Sequence, residues 1–100
     1  MQNDYTSGEK RIGSIGDLLN CTYAVGIYGN KNISIFFRKI KADSPKLYIL
    51  ELKDYKLLKK NYENQAHNNK NVRNVSIERL IENVDRQILI TLNYQDRYND

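Results

Sequence analysis

Cysteine is almost absent from this sequence. Cys21 stands alone, so no internal disulfide can form, and with the single histidine, His67, it cannot supply the four ligands of a structural zinc site. No run approaches the roughly 20 continuous apolar residues of a membrane helix. The N-terminal MQNDYTSGEK lacks the apolar centre of a signal peptide. The chain reads as a cytoplasmic protein. One proline and five glycines leave few strong punctuators, and there is no tryptophan. The 100 residues suffice for one core and leave no room for a second domain. Three N-x-S/T triplets, at Asn20, Asn32 and Asn74, match the chance expectation for a chain so rich in asparagine.

What the chain does have is lysine, unevenly placed. The net charge is +4, and residues 38–60 alone carry eight basic against three acidic side chains, a local excess of five. The first 37 residues balance, and residues 61–100 are at −1. Such a middle segment steers encounters with polyanions or acidic proteins, and abundant Asn, Lys and Ile also follow from an AT-rich coding sequence.

Residues 1–12 read as a loose polar arm, 13–95 as one domain and 96–100 as a fraying end. Ser14 opens S-I-G-D, with an acid three positions on to satisfy free N–H groups. Ile15, Leu18, Leu19 and Thr22 follow at helical spacing, which predicts a short helix from about Ile15 to Ala24, ended by Gly26 and Gly29. NISIFFRKIK (32–41) and LYILELK (47–53) predict two strands of an antiparallel hairpin, joined by a turn holding Asp43, Ser44 and Pro45. In YKLLKKNYENQ (55–65), Tyr55, Leu58 and Tyr62 fall at helical spacing, yet the stretch also follows a strand closely, so helix and third strand compete. Gln65–Asn74 reads as loop. From Ser76, residues Ile77, Leu80, Ile81, Val84, Ile88, Leu89 and Leu92 predict a long amphipathic helix. The expected class is α+β: a small antiparallel sheet of about three strands, with the short N-terminal helix and the long C-terminal helix packed on one face.

Several of these features occur together in one known family. Ser14, Asp17 and Leu18; Cys21 with Tyr23 or Tyr28; Ile35–Phe36–Phe37–Arg38–Lys39; Pro45, Tyr48, Leu50 and Glu51; and Gln65, Asn68 and Asn69 come in an order and spacing that resembles the C-terminal part of the PcfJ-like proteins of conjugative plasmids and phages. Asn20 stands where that family tends to place a histidine. The resemblance spans about residues 12–85. It implies at least three strands, which tips residues 55–65 toward strand, and a mobile-element origin, but no reaction.

Three constellations carry chemistry. Asp43, Glu51 and Lys53 have the composition of a metal-dependent nuclease centre, in which two acids hold a divalent ion and a lysine on the same strand face supports the attacking water. The competing reading is a solvent-facing acid and lysine on an edge strand. Cys21, His67 and Asn68 or Asn69 match the residue types of a Cys-His-Asn hydrolase, but without a local signature around the cysteine. Finally, Arg38, Lys39, Lys41, Lys46, Lys53, Lys56, Lys59 and Lys60, with Tyr55 and Tyr62 as stacking contacts, compose a nucleic-acid surface. The expected function is therefore non-enzymatic and free of cofactors: docking of a basic surface on nucleic acid or a nucleoprotein complex. Inhibition of a host defence such as a CRISPR-Cas effector is a concrete version, and an unpaired sheet edge or surplus apolar surface leaves room for a homodimer.

Overall fold

A computed structural model describes residues 12–28, 32–39 and 46–98. Its elements are a 3-10 turn at Ile15–Leu18, strands β1 (Cys21–Tyr28), β2 (Asn32–Lys39) and β3 (Lys46–Glu51), helix α1 (Leu52–Asn68), a second 3-10 turn at Lys70–Val72, and helix α2 (Val75–Tyr98). The expected N-terminal arm up to residue 11, the turn with Pro45, Lys41 and Asp43 lie outside the described residues. Ile12, assigned to the arm, packs against the core. The class is α+β, as expected, and the β2–β3 hairpin is antiparallel with Phe37 opposite Tyr48 and Ile35 opposite Leu50.

Two elements differ from the expectation. The short helix is only the turn Ile15–Leu18, where the Asp17 carboxylate accepts from the Gly13 and Ser14 N–H groups at 3.0 and 3.3 Å. Asn20, at φ 65°, then turns the chain in the left-handed region that asparagine tolerates, and Cys21–Tyr28 runs out as a strand. The third strand is thus β1, paired antiparallel to β2 from Cys21 opposite Lys39 to Tyr28 opposite Asn32, and not residues 55–65. Those residues belong to α1, so the helical spacing of Tyr55, Leu58 and Tyr62 prevails over the strand that the family resemblance implied. The helix also takes in Gln65–Asn68 of the expected loop.

Strand order β1-β2-β3 makes β2 central, and its Ile35 and Phe37 are fully buried. Alternation places Ile33, Ile35 and Phe37 on one face with Tyr23 and Val25 of β1 and Tyr48 and Leu50 of β3. Both helices cover this face, α1 over β2 and β3, α2 over β1. The helices are antiparallel: Tyr55 bonds to Asp85, whereas Tyr62, two turns later, bonds to Glu78. Ile77, Ile81, Val84 and Ile88 of α2 complete the core along the stripe that the sequence announces. Asn74 caps α2, its side-chain oxygen accepting from the Ser76 and Ile77 N–H groups at 2.8 and 3.2 Å. Among the described residues no helix is long and apolar enough to cross a membrane.

Candidate polyanion-binding surface

Residues 51–60 enter α1 directly from β3, with no loop between Glu51 and Leu52. Within the helix Lys53, Lys56 and Lys60 fall at i, i+3 and i+7, one stripe that rises about 10 Å at the α-helical pitch. All three are exposed, and exposed Leu57 sits among them. Leu58 and Tyr62 turn toward the core, and Lys59 turns toward α2, so the stripe forms a ridge on the side of α1 away from the sheet. Lys53 lies 3.7 Å from the Glu51 carboxylate, with 80% of its side chain accessible, a contact worth little at an exposed site. Among the described residues Lys56 and Lys60 have no ion-pair partner. Glu63 follows one turn beyond Lys60 and bounds the ridge.

The remaining predicted residues separate from this ridge. Lys39 and Lys46 face each other across the far end of the β2–β3 hairpin, and Arg38, on the opposite sheet face, pairs with Leu47. The Lys39 ammonium donates to the Asp17 carbonyl at 3.3 Å, which tethers it to the N-terminal turn. Lys59 binds the Asp85 carboxylate at 3.0 Å and stands 6.0 Å from the centre of the Tyr55 ring. Its charge is spent inside the helix pair.

Tyr55 and Tyr62, expected as stacking contacts, are core residues. Tyr55 is fully buried and its hydroxyl donates to Asp85 at 2.9 Å. Burial first, and then the hydrogen bond to the Asp85 carboxylate, push this phenol well above its ordinary range. Tyr62, 9% exposed, donates to Glu78 at 2.9 Å and accepts from the Asn74 N–H at 2.9 Å. Helical spacing that turns an aromatic stripe toward a second helix buries it. The hydroxyls then find the acids that α2 presents on its α1 side.

Glu78 is the centre of a second network. Arg73 grips it with two nitrogens, each at 2.8 Å, while Tyr62 donates to the same carboxylate. The Arg73 bonds first and the Tyr62 bond second lower the Glu78 carboxyl to about 2. A carboxylate held below its unfolded value stabilises the fold above that value and ceases to do so as pH falls through the folded one. The stability gained at Glu78 is therefore fully present above about pH 4.5 and is lost on acidification toward pH 2. In urea unfolding between those limits, Glu78→Gln is expected to flatten the acid slope; an unchanged slope would assign it to other carboxylates.

In this corner the sequence had singled out Tyr62 and His67 but gave no signal for the Arg73–Glu78 pair that organises it. The α1–α2 connection encloses an open groove of about 600 Å³, lined among others by Ala66, His67, Lys70, Arg73 and Glu78. His67 thus lies at the α1 terminus, on the continuation of the lysine ridge. Cys21 does not line that groove; it starts β1, half-buried beside the core, where burial raises its thiol despite nearby Lys39. The pairing of Cys21 with His67 needed for nucleophilic catalysis does not form. The nuclease arrangement is also altered: β3 ends at Glu51 and Lys53 sits in the first turn of α1, so the two do not share a strand face. Leu52, Tyr55 and Leu58 bury at helical spacing, which ends the strand there. Among the described residues no three acid, histidine or cysteine side chains converge to hold a metal ion.

A scan against protein-family models finds no match for the chain, and searches of curated proteins and of solved structures likewise find none.

Proposed function

We propose that this protein is a non-enzymatic binding module of a phage or plasmid, which lays the α1 ridge on the phosphate backbone of a nucleic acid. The observation that carries this reading is the row Lys53, Lys56 and Lys60, exposed on one face of a helix anchored by buried Tyr55 and Tyr62. Ammonium groups displayed on a rigid element lose little conformational freedom beyond their own side chains when they meet an anionic lattice. The resemblance of residues 12–85 to the PcfJ-like proteins supports the mobile-element origin. Blocking the nucleic-acid groove of a host defence effector, such as a CRISPR-Cas complex, is the biological setting that fits a small basic protein of that origin.

Burial of the two tyrosines sharpens the proposal. Without stacking aromatics the ridge reads charge and not bases, so affinity should be indifferent to sequence. Fluorescence anisotropy with short labelled DNA and RNA across a salt series tests it. Three phosphate contacts give a slope of log K against log salt of about −2 to −3. A slope near zero, or no binding at low salt, would sink the proposal and direct the search to protein partners.

A further inference from the structure

In a chain in which 28% of residues are charged, one flank is built, among the described residues, on an uncharged strand and an uncharged helical stripe. Among the described residues β1 is an edge strand, and its eight residues, CTYAVGIY, contain neither a charged residue nor proline. The other edge, β3, begins at Lys46 and ends at Glu51, the kind of charged side chains that discourage pairing with another chain. Above β1 lies α2, and the side of α2 turned away from α1 is set by its contacts. Asp85 and Glu78 face α1, and Val84 and Ile88 face the sheet. That leaves Ser76, Leu80, Asn83, Gln87 and Ile90, spaced four, three, four and three, as the outward stripe over the β1 edge. No member of the stripe is charged. Ile90 is 52% exposed, and two arginines flank the stripe on the side of α2 away from the sheet: exposed Arg79, three residues from Ser76 and four from Asn83, and Arg86, which donates to the Asn83 side chain at 3.1 Å.

From this we infer that the protein forms a two-fold homodimer through β1, in which β1 of one copy pairs antiparallel with β1 of the other into a continuous six-stranded sheet. Antiparallel pairing of identical strands has its two-fold axis normal to the sheet, so both helical layers stay on one side and the α2 stripes of the two copies meet above the joined strands. Edge N–H and C=O groups supply the bonds, and the strand is its own complement in either copy. The occupant follows from charge. β1 and the central stripe offer an acidic or basic partner no counter-charge, and a second copy brings no like charge to them, while Arg79 and Arg86 flank the stripe on the side of α2 turned from the sheet. Each lysine ridge sits one helix further out, so in the order α1-α2-α2-α1 the ridges lie roughly 30 Å apart at the usual helix spacing. That exceeds the Debye length of about 8 Å at physiological salt. Eight strand residues span about 26 Å, and the molecule is 21 Å deep on its shortest axis. A wall of about 550 Å² per copy is smaller than the standard of roughly 800 Å² per partner but clears the roughly 1,000 Å² in total that a specific interface needs. The dimer stands independently of the nucleic-acid reading, although it would place two ridges on one surface.

The test is sedimentation equilibrium of the full chain, up to about 100 μM, beside hydrogen exchange at low and high concentration. A concentration-dependent dimer is expected, with β1 amides slowing as it forms and β3 amides unchanged. Gln87→Lys, at an exposed helix position, sets two ammonium groups near the axis and should raise the dissociation constant at least about tenfold, with unchanged circular dichroism. Leu89→Lys, on the α1 side of α2, should leave it unaltered. A monomer throughout the range, protection of β3 instead of β1, or a dimer sensitive to Leu89→Lys and indifferent to Gln87→Lys would each overturn the inference.

Discussion

Replacing Lys53, Lys56 and Lys60 together by glutamate is expected to lower affinity for short duplex or single-stranded nucleic acid by at least about 100-fold at about 0.1 M salt. The magnitude follows from counterion release. Each phosphate neutralised contributes about 0.7 to 0.9 to the exponent of the salt dependence, so three lost contacts remove about two powers of ten at that concentration, before any repulsion from the new carboxylates. The slope should shrink by about two to three in the same experiment. The three positions are exposed on α1, so unfolding temperature should change little. Reversal of Arg38 and Lys46, at the far end of the hairpin, is the comparison that locates the surface. If that pair abolishes binding and the triple variant does not, the ridge is the wrong surface and the sheet end is the right one.

The second large effect concerns the fold that holds the ridge in place. Phe37 is fully buried on the central strand, between Tyr23 and Tyr48 on the neighbouring strands, with its ring 6.2 Å from that of Tyr23. Phe37→Ala should cost about 3 to 5 kcal/mol, the transfer of the ring plus the cavity left behind. Against the 5 to 15 kcal/mol that holds a typical domain together, that loss leaves a marginal or unfolded protein. At about 4 to 8 °C per kcal/mol for a chain of this size, the midpoint should fall by about 12 to 40 °C. Urea and thermal unfolding measure it. Phe36→Ala, one residue away on the opposite face and half-buried, should cost clearly less. Equal losses at the two positions would contradict the alternation on which the sheet's orientation rests.

Local patterns carried much of this architecture. Alternating β-branched and aromatic residues on either side of a proline-bearing segment marked the β2–β3 hairpin. The apolar stripe from Ile77 to Ile88 marked α2 and named the residues that enter the core. Concentration of lysine in residues 38–60 was legible by counting. The spacing of Lys53, Lys56 and Lys60 became a ridge only once Tyr55, Leu58 and Tyr62 were known to set a helix.

Other features depended on residues far apart in the chain. Residues 15–25 satisfy a helical pattern through Leu18, Leu19 and Thr22 as well as an alternating one through Cys21, Tyr23 and Val25. Neither period wins on its own terms. β2 decides between them, because a central strand with Ile35 and Phe37 fully buried needs a hydrogen-bonding neighbour on its second edge, and Cys21–Tyr28 is placed to provide it. The same reasoning covers Tyr55 and Tyr62. In isolation they were as fit for stacking on bases as for packing; α2 buries their rings through Ile77, Ile81 and Val84, and Asp85 and Glu78, 30 and 16 residues further on, accept from their hydroxyls. Composition and periodicity by themselves determined the class, the hairpin, the last helix and where the charge lies along the chain. Only the tertiary structure chose the third strand and which side chains face water, because those choices are made by partners that no short window of sequence contains.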